Sequence, residues 1–182
     1  MRISLTGPHG SGKSTLMKAI EEDPRWGKIE LQFLPEMTRK IAALGYPINE
    51  AGTNDTQNLV IARYLEDVLA KDNYIVDRCI VDGYVYTQYL VETGQCDRAL
   101  SDYAFFVSEM YIPRYNYIFY IPSEFEIEED GTRSVGEDFH DRVVELFEEV
   151  FTIPRKNVIP LRGTVEERRE KFFDTLREGG VI

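Results

Sequence analysis

Two rhythms of apolar positions alternate along this chain. Short runs, contiguous or alternating, read as strands; the intervals between them repeat apolar residues every three or four positions, the period of a helix. The strand-like runs are Ile3-Ser4-Leu5-Thr6, Ile29 to Leu34, Tyr74-Ile75-Val76 ending at Asp77-Arg78, Tyr115 to Ile121, and Asn157 to Leu161. The first helix is expected to run to about Glu22, with Pro24 stopping it, and a second from the Pro35–Arg39 stretch to Leu44, capped by Gly45. A third spans about Thr56 to Lys71, with Ile61, Tyr64, Leu65, Val68 and Leu69 at helical spacing. Others run from about Asp82 to Thr93 and from Ser101 to Tyr111. Ser134-Val135-Gly136-Glu137 and Thr164-Val165-Glu166-Glu167 both fit capping boxes. The first opens a helix with Phe139, Val143, Leu146, Phe147 and Val150 on one face; the second opens the last helix, to Arg177. Strands alternating with helices predict an α/β fold, a parallel sheet covered on both faces. With no repeat, linker or low-complexity tract, residues 1–182 are expected to form one domain.

Composition narrows the class. No apolar stretch is long enough to span a bilayer. Met1-Arg2-Ile3 runs straight into the first strand, so no signal peptide is read, and Cys79 and Cys96 make neither a disulfide framework nor a zinc site. A reduced, cytoplasmic protein is the expectation. The net charge is −11, and Glu124 to Val150 alone holds eleven acidic residues against two arginines, a net of −9. Such acidity argues against a nucleic-acid surface, so bound phosphates must be held by local features.

Those features begin at Gly7-Pro8-His9-Gly10-Ser11-Gly12-Lys13-Ser14-Thr15, between the first strand and the first helix. A glycine-rich turn in that context is the phosphate-binding loop: its N–H groups and the helix dipole cradle phosphates. Lys13 would reach the β- and γ-phosphates and the Ser14 hydroxyl would ligate Mg²⁺. The pattern points to a nucleoside triphosphate without saying what is done with it.

In such sheets the ligand lies beyond the carboxyl ends of the strands. Every strand delivers polar residues there: Glu36 and Arg39 after the second, Asp77 and Arg78 after the third, Ser123 after the fourth, Arg162-Gly163-Thr164 after the fifth. Asp77 is the expected Mg²⁺-organising carboxylate, with a strand-end pair to Arg78 as the competing reading. Arg78 could hold an acceptor through its planar fork. Glu36 is a candidate base for an acceptor hydroxyl, or merely a helix-dipole partner. Residues 123–137 read as a lid, with Arg133 and Arg142 as candidates to close over the γ-phosphate, or as a solvated acidic loop. His140 reads as a surface helix residue, and Tyr84, Tyr86 and Tyr89 as core or as the wall of an acceptor pocket.

Five stretches, in this order, carry a resemblance: residues 7–15; Pro35-Glu36 with Arg39; Asp77-Arg78 with Asp82; Asp130-Gly131 with Arg133; and Gly163-Thr164 with Arg168. Over nearly its full length the chain resembles the P-loop nucleoside and nucleoside-monophosphate kinase superfamily. It looks most like the NadR-type, ribosylnicotinamide-kinase-like branch, which also occurs as small phage proteins. The resemblance implies a five-stranded parallel sheet in the order 2-3-1-4-5 with a lid after strand four, and Mg²⁺-ATP as donor. It also implies donor-nucleotide contacts at Arg162 and Gly163, acceptor contacts at Glu36, Arg39, Arg78 and Tyr86, and a homodimer as a common assembly. Asp77-Arg78 with Tyr86 is similar to the Asp-Arg…Tyr stretch of thymidylate kinases, where the arginine holds the acceptor phosphate. Their Arg-Glu-Pro-Gly-Gly-Thr is replaced here by Pro35-Glu36-Met37-Thr38-Arg39, which leaves nucleoside and nucleoside monophosphate both open.

The expected activity is therefore transfer of the ATP γ-phosphoryl to a small nucleoside or nucleotide. Lys13, Glu36, Asp77 and Arg133 would carry the chemistry. The rivals are a kinase of a hydroxymethylated base in DNA and a partner-regulated P-loop ATPase docking through the acidic segment.

Overall fold

The strand-like runs pair in a five-stranded parallel sheet in the order β2-β3-β1-β4-β5. The computed structural model describes residues 1–34, 37–124 and 137–182. The strands are β1 (Arg2–Thr6), β2 (Gln32–Leu34), β3 (Tyr74–Asp77), β4 (Tyr117–Tyr120) and β5 (Val158–Pro160). The helices are α1 (Lys13–Glu21), α2 (Met37–Ala43), α3 (Asn54–Ala70), α4 (Ile80–Glu92), α5 (Arg98–Tyr111), α6 (Glu137–Phe151) and α7 (Val165–Glu178).

Alternation along each strand feeds two cores, as a sheet buried on both faces requires. Ile3, Leu5, Ile75, Phe119 and Ile121 face Leu16 and Ile20 of α1 and Phe172, Phe173 and Leu176 of α7. On the other face Val76, Ile118 and Tyr120 meet α3, α4 and α6 through Ile61, Val68, Val81, Val85, Val143 and Phe147. Two polar residues of β1, Ser4 and Thr6, are also fully buried. The Thr6 hydroxyl donates to the Asp82 carboxylate at 2.7 Å, satisfying both groups.

The register brings three chain segments to one rim. Leu5 pairs with Asp77 and Thr6 with Tyr120, so β1, β3 and β4 end together where the glycine-rich loop begins.

Element edges differ from the sequence reading for local reasons. Ile29 to Leu31 do not extend β2, because β3, its neighbour in the sheet, starts at Tyr74 after Asn73 turns with a φ of 55°. Helix α4 begins at Ile80 rather than near Asp82. Cys79 takes the N-cap, and its N–H donates to Asp82 at 2.8 Å. Helix α5 starts at Arg98 because Asn54 ties down Asp97, side chain to side chain at 2.7 Å and N–H to side chain at 3.0 Å. The Thr164 capping box forms as expected; the Ser134–Gly136 part of the other box lies outside the described residues. Among the described residues, no helix is long and apolar enough to cross a membrane.

Candidate functional site

The loop from Gly7 to Gly12 is shaped by close approach. Gly7 has a φ of 145°, and a Cβ there would lie 2.2 Å from the Ile121 carbonyl oxygen, so only glycine lets the loop leave β1 beside β4. Gly12 holds the N-cap of α1 in the left-handed conformation, φ 89°, with no side chain capping the helix.

What caps this loop is cationic. Lys13 Nζ donates to the carbonyls of Gly7 at 2.7 Å and Pro8 at 2.6 Å. Arg168 Nη1 donates to the Ser11 carbonyl at 2.7 Å. The carbonyls of Gly7, Pro8 and Ser11 are thus occupied, while the N–H groups of Gly10, Gly12, Ser14 and Thr15 have no acceptor among the described residues. Uncapped donors at a helix N-terminus, with a lysine in the loop, fit the phosphates of a nucleotide. Ser14 and Asp77 line one open cleft together with Arg39. A hydroxyl and a carboxylate suit Mg²⁺, which keeps most of its shell as water and phosphate oxygen. Among the described residues no cluster of three His, Cys, Asp or Glu side chains gathers into a metal site.

A second, narrower cleft opens between α2, α3 and α4. Thr38, Asn49, Gln57, Tyr64, Arg78 and Tyr86 are among its walls, around a narrow cavity of about 20 Å³. Arg78 takes a left-handed backbone, φ 75°, and its N–H donates to the Leu5 carbonyl at 2.8 Å. Its guanidinium reaches Asp82 at 3.5 Å and donates to the Tyr86 hydroxyl at 3.2 Å. The same hydroxyl accepts the His9 N–H at 3.2 Å, which joins this cleft to the phosphate loop. Burial pushes the Tyr86 phenol above its ordinary pKa, with Arg78 pulling the other way. Burial also pushes Asp82 up, against Arg78 and Lys13. Cys79 beneath is driven to about 12 by burial, so it is an inert thiol; Cys96 is likewise a free, buried cysteine.

The expected residues therefore fall into three groups. Ser14, Thr15, Arg39 and Asp77 belong to the loop side and Arg78 and Tyr86 to the narrower cleft. Arg162 and Gly163 both bind Glu124, the arginine side chain at 3.1 Å and the glycine N–H at 2.7 Å. Glu36, Arg133 and all of the 123–137 lid except Ser123, Glu124 and Glu137 lie outside the described residues.

Two readings are corrected. Arg142 is no lid arginine: it is bound to Glu92 at 2.8 and 2.9 Å, to Glu145 at 2.7 Å and to Glu149 at 3.0 Å, by the far end of α4. His140 is not a surface residue. It is buried, edge-on to His9 at 4.8 Å, and its Nε2 shares a hydrogen bond with the Ser123 hydroxyl at 3.1 Å. Burial lowers its pKa. Phe139 beside it stacks on His9 at 4.8 Å, so α6 packs directly on the phosphate loop. The signal was present, since His140 stands three residues before Val143 and seven before Phe147 on the apolar face. Arg168, which the spacing to Phe172 and Leu176 also puts on a buried stripe, is the other side chain whose contact with the loop the sequence reading missed.

Comparison with known proteins gives the family and the fold. A family model described as AAA domain matches residues 2–168. No curated protein matches the chain. Among solved structures, deoxyadenosine kinase from M. mycoides with dCMP and dCDP bound superposes with a TM-score of 0.71 at 16% identity, covering 98% of this chain and 99% of that one. NadR in complex with NR superposes with a TM-score of 0.70 at 17% identity, covering 100% of this chain but 52% of the NadR chain. The fold is thus that of a P-loop nucleoside-kinase-like domain, with the strand order and helical layers expected from the sequence.

Proposed function

The chain belongs to the AAA domain family, and on that premise we propose that it transfers the γ-phosphoryl of Mg²⁺-ATP to a nucleoside or nucleoside monophosphate. The observation that carries this reading is the second cleft. A hydrolase needs only a nucleotide and water, whereas here a walled pocket opens beside the phosphate loop and is joined to it through the shared Tyr86 hydroxyl. The likeness to deoxyadenosine kinase and NadR supports a small nucleoside-type acceptor.

In this scheme the loop N–H groups and Lys13 take the phosphates and neutralise the charge that spreads over the γ-oxygens. Lys13 must leave the Gly7 and Pro8 carbonyls to do so. Ser14 and Asp77 would hold Mg²⁺, which when bound neutralises phosphate charge. Arg78 and Tyr86 orient the acceptor, with Arg39 at the mouth of the loop cleft. Glu36 is the proposed base and Arg133 the proposed lid arginine. Arg162 and Gly163 are proposed to flank the donor nucleotide.

The test is ADP formation from Mg²⁺-ATP across nucleosides, nucleoside monophosphates, nicotinamide riboside and hydroxymethylated DNA, with Lys13→Ala as control. One acceptor raising turnover well above the rate with water, and losing it in the variant, is the expected result. Equal slow hydrolysis with every acceptor refutes the kinase reading.

A further inference from the structure

Arg168 is among the largest fully buried side chains of the protein, 2% exposed, and the scheme above does not use it. It projects from α7, on the opposite face of the sheet from the acceptor cleft. One arm of its fork, Nη1, donates to the Ser11 carbonyl at 2.7 Å; the other, Nη2, donates to Glu124 Oε2 at 3.0 Å. Glu124 is itself held by the Gly163 N–H and by Arg162. Burial alone would raise the Glu124 pKa, but the Gly163 N–H, Arg168 and Arg162 outweigh it, so the carboxylate stays ionised. Three separate segments, the phosphate loop, the chain after β4 and the β5–α7 turn, are therefore tied together through the Arg168–Glu124 pair.

The contact with Ser11 has a specific geometric effect. In a planar trans peptide the C=O and N–H point in opposite directions. Fixing the Ser11 carbonyl toward α7 turns the Gly12 N–H into the loop. The same carbonyl would be the helical partner of the Thr15 N–H, four residues on. In the structure the ladder of α1 starts one residue later, from the Leu16 N–H to the Gly12 carbonyl at 3.0 Å. We infer that Arg168, anchored by Glu124, is a positioning residue of the phosphate loop, holding the Ser11 carbonyl away so that the Gly12 and Thr15 N–H groups remain available to phosphate. The inference rests on the reading of this loop as a triphosphate site. A lysine can reproduce it only in part, because a single ammonium keeps the charge but lacks the two divergent, coplanar arms.

The competing role is purely structural, a buried ion pair that could be replaced at little cost. Calorimetry separates the two, using inorganic tripolyphosphate and ATP with the full chain and Arg168→Met, Arg168→Lys and Glu124→Gln, each checked for cooperative thermal unfolding. The expected result is binding about tenfold weaker in Arg168→Met, partly restored in Arg168→Lys, and weakened about threefold in Glu124→Gln. Unchanged affinity in folded Arg168→Met, whatever its melting temperature, overturns the inference. If that variant does not fold, unchanged affinity in Glu124→Gln overturns it instead. Weakened tripolyphosphate binding without transfer to any acceptor leaves this inference standing and sinks the kinase reading; a wild-type chain that binds neither probe sinks both.

Discussion

Replacing Gly7 by alanine puts the new Cβ 2.2 Å from the Ile121 carbonyl oxygen and 3.1 Å from its carbon, on backbone that cannot swing aside. Ile121 directly follows β4, and its N–H donates to the Thr6 carbonyl at 2.8 Å, so moving it pulls on the end of that strand. Two costs add. A non-glycine residue at a φ of 145° carries backbone strain, about 1–2 kcal/mol, and forcing a methyl group into a packed site costs about 1–3 kcal/mol more. Their sum, about 2–5 kcal/mol, lowers the melting temperature of a domain this size by roughly 4–20 °C. Gly94 supplies the control. Its φ is 78° but nothing lies within 4 Å of an added Cβ, so Gly94→Ala carries only the strain, about 1 kcal/mol and roughly 2–4 °C. Paired thermal melts followed by circular dichroism read the difference, and ATP calorimetry on the folded fraction should show the larger loss in Gly7→Ala. Equal melting shifts in the two variants would refute the argument, since the contact with Ile121 would then cost nothing.

Tyr86→Phe removes a hydroxyl that joins His9 to Arg78; it should cost about 1–3 kcal/mol and raise the acceptor KM more than the ATP KM in steady-state kinetics. Arg142→Ala should leave activity unchanged and shift stability by no more than about 1 kcal/mol, because its partners are the exposed glutamates Glu92, Glu145 and Glu149; a large loss of kcat would return it to the lid. His140 has a lowered pKa in the fold, so the unfolded chain binds the proton more readily. Its contribution is full above the unfolded value near 6.5 and is lost as pH falls through it. Melting temperatures at roughly pH 7.5 and 5.5 should therefore fall further apart in the wild type than in His140→Gln.

The strands and helices were legible because burial on both faces of a parallel sheet leaves apolar runs, and because Gly45, Pro24 and the Thr164 box punctuate the helices chemically. The phosphate loop was legible for the same kind of reason: backbone constraints dictate its residue types. Where the reading slipped, the deciding partner was distant in sequence. Ile29 to Leu31 alternate like a strand, but β3 offers them no partner beyond Tyr74. Arg142 looked available for the lid until Glu92, fifty residues earlier, took it. His140 and Arg168 were polar residues on apolar stripes, and what makes them contacts of the loop is His9 and Ser11 across the fold.

The left-handed backbone at Arg78 has a consequence for engineering. Only three non-glycine residues among those described take positive φ, and Arg78 is the one at the rim of the sheet, with a φ of 75°. Glycine there would relax the chain by about 1 kcal/mol. It would also delete the fork that reaches Asp82 and Tyr86. Arg78→Gly should therefore lower the melting temperature, because the relief of strain is smaller than the cost of leaving the buried Asp82 carboxylate and Tyr86 hydroxyl without this partner. Position 78 thus keeps an arginine for its side-chain partners against the preference of its own backbone.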